Sequence, residues 1–163
     1  MKTMIAAVLS TALVVAATAA SAAPPCPALA GTTFYDSTHT LVGDPFFGGR
    51  WSNAKNGKAY VQRNLTKPAT LYGFSLGQAG SDMTTVGSRV AITAKKPDGT
   101  TVTLLDLRGV AVGRDFSPGG AGTVASPLFV RFPPVEVKSI RVDMTGNGWF
   151  LLYNLTFNVL GCS

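Results

Sequence analysis

The stretch WFLLYNLTFNV, from Trp149 to Val159, decides the fold class of this 163-residue chain. Alternate side chains along it are apolar or aromatic, and the intervening positions turn polar after Leu152. A period of two residues is typical of a β-strand, and one apolar face beside one mixed face suits a two-sheet sandwich. The stretch therefore predicts a strand that directs one set of side chains to the core: Trp149, Leu151, Tyr153, Leu155, Phe157 and Val159.

Shorter alternating segments precede this strand and are separated by turn residues. The segments 90–94 and 101–104 flank the turn sequence KPDG, and the segment 140–144 is joined to the last strand by TGNG, so each pair predicts a hairpin. Further strands are expected at 32–35, 59–65, 69–76 and 127–132, and the Gly/Pro-rich segment 114–122 predicts an exposed loop. No helical period is sustained beyond the first 22 residues. We predict an all-β, antiparallel β-sandwich of about seven or eight strands.

The N-terminus has the pattern of a secretory signal peptide. Lys2 precedes an Ala/Val/Leu-rich run, and the small residues Ala20 and Ala22 suit cleavage by signal peptidase. We predict a signal peptide at 1–22, a single domain at 23–163 and a secreted or periplasmic product of bacterial origin. A retained membrane anchor is the weaker alternative, because polar residues interrupt the run and two prolines follow it.

The chain contains two cysteines, one near each end of the predicted domain. In an oxidising compartment, Cys26 and Cys162 most simply pair with each other and close the whole domain into a loop. The chain-entropy model assigns such a long loop a stabilisation of about 4–5 kcal/mol, as an upper figure. Two free thiols or an intermolecular pair are the alternatives.

Positive charge is concentrated in one part of a chain whose formal net charge is +6. No acidic residue occurs between Asp44 and Asp82, and all the basic residues of that interval lie in its first part: Arg50, Lys55, Lys58, Arg63 and Lys67. Such a run attracts phosphate, anionic glycans or acidic lipid headgroups, or else it is an ordinary solvated face.

The residues that could support catalysis do not form a recognisable pattern. His39 is the single histidine, no serine or cysteine lies in a nucleophile motif, and Asp98 and Asp106 belong to a turn and a strand end. We therefore predict that the protein is not an enzyme, with a small secreted enzyme on an unrelated β-sandwich as an alternative.

The order of several segments resembles a known family. Cys26 is followed by YVQRNLTKPATLYGF at 60–74, a Pro-Asp-Gly turn, FPPVEVKSIRV at 132–142, a tryptophan and a last strand ending in Gly161-Cys162. This order is similar to that of the discoidin domain, also called the coagulation-factor C-type domain, in the galactose-binding-like superfamily. The resemblance covers nearly all of the predicted mature domain. It implies a jelly-roll sandwich whose terminal cysteines join the first and last strands.

The resemblance also implies a ligand site in loops at one end of the sandwich. The segment DPFFGGRW, at 44–51, occupies the position of one such loop and is followed by two lysines. Exposed aromatic rings there could stack on sugar or enter a bilayer interface, while basic groups could bind hydroxyl, sulfate or phosphate oxygens. Trp51 has core packing as its alternative, and so does one of the two phenylalanines. The predicted ligand-binding residues are Phe46, Phe47, Arg50, Trp51, Lys55 and Lys58.

No cofactor is expected. Relatives that hold a structural calcium use acidic residues where this chain has Asn56 and Asn154, and losing two charges weakens a calcium site sharply. We therefore expect no tightly bound metal.

The sequence thus predicts a secreted, monomeric, non-catalytic binding module. The favoured partner is a glycan, neutral or anionic, and nucleic acid is not expected. A peripheral adhesion module that binds lipid or a protein receptor through the same loop remains the alternative.

Overall fold

The computed structural model describes residues 26–36, 39–54, 57–83, 89–113, 122–124 and 127–162, and the predicted signal peptide lies outside them. The described residues contain a short 3₁₀ helix, Pro27–Leu29, and nine strands. The strands are β1 (Gly31–Tyr35), β2 (Thr40–Val42), β3 (Arg50–Ala54), β4 (Gly57–Met83), β5 (Arg89–Lys95), β6 (Thr101–Arg108), β7 (Val110–Val112), β8 (Gly122–Val124) and β9 (Leu128–Val159).

The hydrogen-bond register divides these strands into two layers. The first sheet has the order β1, residues 57–64 of β4, residues 139–146 of β9, β5 and β6. The second sheet has the order 128–137 of β9, 69–83 of β4, 147–159 of β9, β3 and β2. β7 pairs with β4 at Ala79, and β8 pairs with β7 in parallel.

β4 and β9 each pass from one sheet to the other. As β4 advances from Gly57 to Asn64 its partners in β9 run backward from Gly146 to Ser139, so these stretches are antiparallel. Pro68, which has no N–H to donate to a ladder, lies in the unpaired interval between the two halves of β4. The prediction of separate strands at 59–65 and 69–76 is thus replaced by one long, bent strand.

A single hydrophobic core lies between the two sheets. The first sheet contributes alternate residues such as Val61, Ile92 and Val142, and the second contributes Leu76 and Leu155, all of them buried. Over most of the two sheets the buried apolar residues follow a two-residue period on the side that faces this layer. The predicted all-β sandwich is confirmed.

The alternation predicted for the last strand holds only in its second half. Leu155, Phe157 and Val159 are buried, but upstream it is Phe150 and Leu152 that face the core. The set predicted to continue inward, Trp149, Leu151 and Tyr153, faces outward instead. The change occurs at Asn154, whose φ of 57° lies in the left-handed region, so that Tyr153 and Asn154 are both exposed. The register with β4 is the same on either side of it, with Leu76 opposite Leu155 and Gln78 opposite Tyr153.

One predicted hairpin is confirmed and the other is wrong. β5 and β6 pair around Lys96–Gly99, where Asp98 accepts hydrogen bonds from the backbone N–H and hydroxyl of Thr100. By contrast, the segment 140–144 does not pair with 149–159. It pairs with β4 and β5 in the first sheet, and the chain continues through 145–148 into the second sheet without reversing.

The two ends of the described domain are joined covalently. Cys26 and Cys162 form a disulfide with a Cα–Cα distance of 5.7 Å, as predicted. It fits an oxidising compartment. Among the described residues, no helix has the length and apolarity needed to cross a bilayer.

Candidate functional site

The predicted binding segment, residues 44–51, forms a tight turn that is held from below by an ion pair. The backbone N–H groups of Phe47 and Gly49 donate to the carbonyl of Asp44, and that of Phe46 donates to its side chain. The other carboxylate oxygen of Asp44 accepts from the guanidinium of Arg63 in β4. One aspartate therefore organises the turn and fastens it to the first sheet.

Arg63 is buried, although the sequence placed it in a run of surface cations. Its Nε and Nη2 lie 3.0 and 2.7 Å from Thr33 Oγ1, and its Nη1 lies 3.4 Å from the carbonyl oxygen of Leu29. The guanidinium carbon is 5.1 Å from the ring centroids of both Phe46 and Phe47. Arg63 is therefore a structural residue and cannot contact a ligand.

Two of the predicted ligand-binding residues are in the core. Phe46 and Trp51 are completely buried, so neither can offer its ring to a ligand, and they are removed from the predicted site. Phe46 turns inward with Phe47 beside it because the segment is a turn rather than an extended strand. Trp51 belongs to β3 and packs opposite Leu152.

The remaining predicted residues do not form one cluster. Arg50 is exposed at the start of β3, Phe47 is half-buried, and Lys58 is exposed in β4 opposite Thr145, in the other sheet. Lys55 lies outside the described residues. Of the predicted set, Arg50 adjoins the outer face of the second sheet, and Phe47 is bridged through its backbone to Thr156 of that sheet.

Cross-strand pairing places two rows of side chains on that outer face. One row runs from Val42 through Arg50 and Tyr153 to Gln78, and the other places Phe129 and Thr156 on either side of Ser75. Arg131 lies two residues beyond Phe129 on the same side of β9. We call this surface the outer platform and define it by its exposed side chains: Val42, Arg50, Phe129, Arg131, Tyr153, Asn154 and Thr156.

Large apolar groups stand at two separate places on the outer platform. The side chain of Phe129 is 73% exposed, that of Val42 is 64% exposed and that of Tyr153 is 40% exposed. Phe129 lies two strands away from the strand that carries Tyr153. Single exposed apolar residues are ordinary on protein surfaces, so these rings offer contact groups for a ligand but do not by themselves mark a binding site.

The floor between the rings is low and polar. There β4 contributes Gly73, Ser75 and Gly77, and neither glycine has a side chain to rise above the sheet. A Cβ built on Gly77 would lie 2.7 Å from Asn154 Cβ, and Thr156 pairs with Ser75, so an amide and a hydroxyl border this floor. Such groups both donate and accept hydrogen bonds, as sugar hydroxyls do.

The sequence carried a signal for part of this surface. In the predicted strand 127–132, Leu128, Val130 and Phe132 pack on the core, and their alternation directs Phe129 and Arg131 outward. Tyr153 could not be found this way, because the left-handed backbone at Asn154 interrupts the alternation.

The single histidine and the acidic residues considered as catalytic groups or metal ligands do not form a reactive cluster in the described part of the chain. The ring of His39 stacks on that of Tyr35 at a centroid distance of 4.1 Å. Within the described ranges, no group of three or more His, Cys, Asp or Glu side chains could hold a metal ion. Asn56, one of the two positions considered for calcium, lies outside the described residues, so the absence of bound calcium stays a prediction.

The chain was compared with known proteins by sequence and by structure. Neither a protein-family model nor a curated protein matches the sequence. Among solved structures, the chitosan-binding module 2 of a chitosanase/glucanase from Paenibacillus sp. IK-5, in complex with chitotriose, superposes with a TM-score of 0.53. It is 17% identical, and the match covers 83% of this chain and 100% of the module.

Two further structures are similar to a comparable degree. Chitosan-binding module 1 of the same enzyme has a TM-score of 0.50 at 19% identity, over 83% of this chain and 98% of the module. The family 32 carbohydrate-binding module of Streptococcus pneumoniae EndoD has a TM-score of 0.51 at 16% identity, over 78% of this chain and 92% of the module. At these identities the similarity shows the fold alone, which is the β-sandwich found in these carbohydrate-binding modules.

Proposed function

We propose that this protein is a secreted, non-catalytic carbohydrate-binding module that holds an oligosaccharide on the outer platform. The observation that carries the proposal is the arrangement of two exposed rings, Phe129 and Tyr153, around a low floor bordered by Asn154 and Thr156. Rings can pack on the apolar faces of sugars, and amide and hydroxyl groups can bind their hydroxyls.

The structural neighbours support the same function from a separate direction. Three sandwiches that this chain covers almost completely are carbohydrate-binding modules by their descriptions. The disulfide supports the secreted location, because such bonds persist in oxidising compartments. The proposal places the ligand on a sheet face rather than in the 44–51 turn, since that turn is packed against Arg63.

The test is a binding panel of immobilised oligosaccharides and polysaccharides, followed by substitution of the two rings. We expect Phe129→Ala and Tyr153→Ala each to weaken binding of the best ligand by about tenfold, the effect of losing a central aromatic contact. Phe34→Ala is the matched control, because Phe34 is 45% exposed but lies in the first sheet. Its affinity should stay within about twofold of the parent.

Two results would contradict the proposal. The first is a panel in which no carbohydrate binds. The second is carbohydrate binding that survives both ring substitutions but is lost in Phe34→Ala, since this would move the site to the other sheet. Release of reducing sugar from a bound ligand would show that the protein is an enzyme.

A further inference from the structure

The outer platform carries positive charge, and no carboxylate of the described residues pairs with it. Arg50 and Arg131 are both exposed, and neither forms an ion pair with a described residue. The rows of side chains that define the platform contain no described acidic residue. The nearest carboxylate of the adjoining turn, that of Asp44, is bound to Arg63.

The outer face of the first sheet is organised differently. Arg89 Nε lies 2.6 Å from Asp106 Oδ1, and Arg141 Nε lies 2.9 Å from both oxygens of Asp143. The hydrogen bond from Arg89 lowers the pKa of Asp106, and the one to Asp143 raises the pKa of Arg141. These arginines are matched by acids of the same sheet, whereas no described acid pairs with the two arginines of the outer platform.

The surroundings of Arg50 hold its side chain in place. Its guanidinium carbon lies 5.2 Å from the centroid of the Trp149 ring, and Trp149 packs against Leu151 on the same outer face. A guanidinium stacked on an indole keeps its in-plane N–H groups available for a forked contact with a carboxylate or sulfate. Arg50 is therefore positioned before any ligand arrives.

The separation of the two arginines sets the size of the ligand. Three strand spacings and about five residues along the strands lie between their backbones, which corresponds to roughly 20 Å. Phe129 and Tyr153 lie within this span. A monosaccharide can reach one arginine only, whereas an extended chain of several sugars can contact both arginines and the rings between them.

We infer that the ligand of the outer platform is an acidic polysaccharide whose carboxylate or sulfate groups are bound by Arg50 and Arg131. This inference rests on the proposed function and adds the chemical class of the ligand. It also separates this chain from the chitosan-binding modules it resembles in fold, because a chain of protonated amino sugars would be repelled by two arginines that no described acid neutralises.

The experiment compares four polymers of different charge on the full chain by isothermal titration calorimetry. Polygalacturonate supplies carboxylates, dextran sulfate supplies sulfates, dextran is neutral and chitosan is cationic. We expect one or both acidic polymers to bind, with weaker binding of a single galacturonate unit and no binding of chitosan. Whichever acidic polymer binds more tightly identifies the anionic group.

Single substitutions then assign the charge to the platform. Arg50→Gln and Arg131→Gln should each weaken binding of the acidic polymer by about tenfold. Lys95→Gln removes the same charge from an exposed position in β5, on the other sheet, and should weaken it by less than about twofold. Equal losses in all three variants would overturn the inference, because the attraction would then come from net charge alone.

Other outcomes separate this inference from the proposed function. Binding of dextran or chitosan that depends on Phe129 and Tyr153 but not on the arginines would overturn the acidic ligand and leave the module intact. Failure of these four polymers to bind would overturn the acidic ligand, and failure of every carbohydrate in the wider panel as well would overturn both. Binding to phosphatidylserine vesicles through Arg50 and Arg131, without binding to any polysaccharide, would assign the platform to membranes instead.

Discussion

Arg63 shows how far a single residue can depart from its local sequence. Its immediate neighbours, Gln62 and Asn64, are polar, and its membership of the basic run from Arg50 to Lys67 assigns it to a solvated surface. Its partner, Asp44, is 19 residues away, and only the pairing of β1 with β4 brings Thr33 alongside it. Long-range contacts of this kind cannot be inferred from spacing, so the sequence predicted the charge correctly and its location incorrectly.

The ion pair between Asp44 and Arg63 leads to a prediction at the same scale. Asp44→Asn keeps the shape of the side chain and leaves the Arg63 charge without its counterion. We expect the free energy of unfolding to fall by about 2 kcal/mol, less than for a fully buried pair because the Asp44 side chain is 35% exposed. Urea-induced unfolding measures the change.

The control for this substitution is Glu136→Gln, which neutralises an exposed carboxylate that has no ion-pair partner among the described residues. It should change the free energy of unfolding by less than about 0.5 kcal/mol. An equally small effect of Asp44→Asn would show that the turn does not depend on the ion pair.

At the scale of the strands, the last part of β9 shows where the alternation of apolar residues no longer predicts which side chains face the core. Phe150, Leu151 and Leu152 are all apolar, so the sequence allows either direction for the first half of this strand. The change falls at Asn154, where the left-handed backbone interrupts the alternation and leaves both Tyr153 and Asn154 exposed. Asparagine tolerates this conformation better than most residues, but an asparagine in a strand is no specific signal for it.

The left-handed conformation of Asn154 can be tested by two substitutions with opposite conformational preferences. Asn154→Val places a β-branched side chain in the left-handed region and should destabilise the protein by about 1–3 kcal/mol. Asn154→Gly accepts the same φ and should change the stability by less than about 1 kcal/mol. Urea-induced unfolding of both variants is the measurement, and indistinguishable stabilities would contradict the assigned backbone conformation.

The two predicted hairpins differ in whether residues near the turn or distant strands determine the path of the chain. The turn at Lys96–Gly99 is closed by its own residues, with Thr100 donating to Asp98, and so the sequence was sufficient to predict it. The segment 145–148 has equally typical turn residues. Its path depends on the strands that pair with the segments on either side of it. The segment before it pairs with β4 and β5, and the segment after it pairs with β3. All three strands lie far away in sequence.

For the molecule as a whole, fold class and disulfide were predictable and the site was predictable only in part. Fold class follows from a period repeated in many segments, so one shifted strand does not change it. The site depends on which aromatic side chains face outward. Trp51 is buried, Tyr153 is exposed, and both directions result from pairing partners rather than from residue type.

The disulfide gives a prediction for the whole domain. Its cysteines are 136 residues apart, so replacing both by serine should lower the free energy of unfolding by up to about 5 kcal/mol in the chain-entropy model. Guanidinium unfolding of the parent with and without reductant, beside the double-serine variant, measures this. Reductant should shift the parent toward the variant and leave the variant unchanged. A parent transition that ignores complete reduction would contradict the prediction.

The passage of β4 and β9 through both sheets determines how the domain can come apart. Since each of these strands is hydrogen-bonded in both layers, neither sheet can separate as an independent folding unit without disrupting a strand that the other needs. Amide hydrogens at the centres of β3 and β5, in opposite sheets, are therefore expected to exchange with solvent through one shared global opening. The sandwich has two layers but behaves as one cooperative unit.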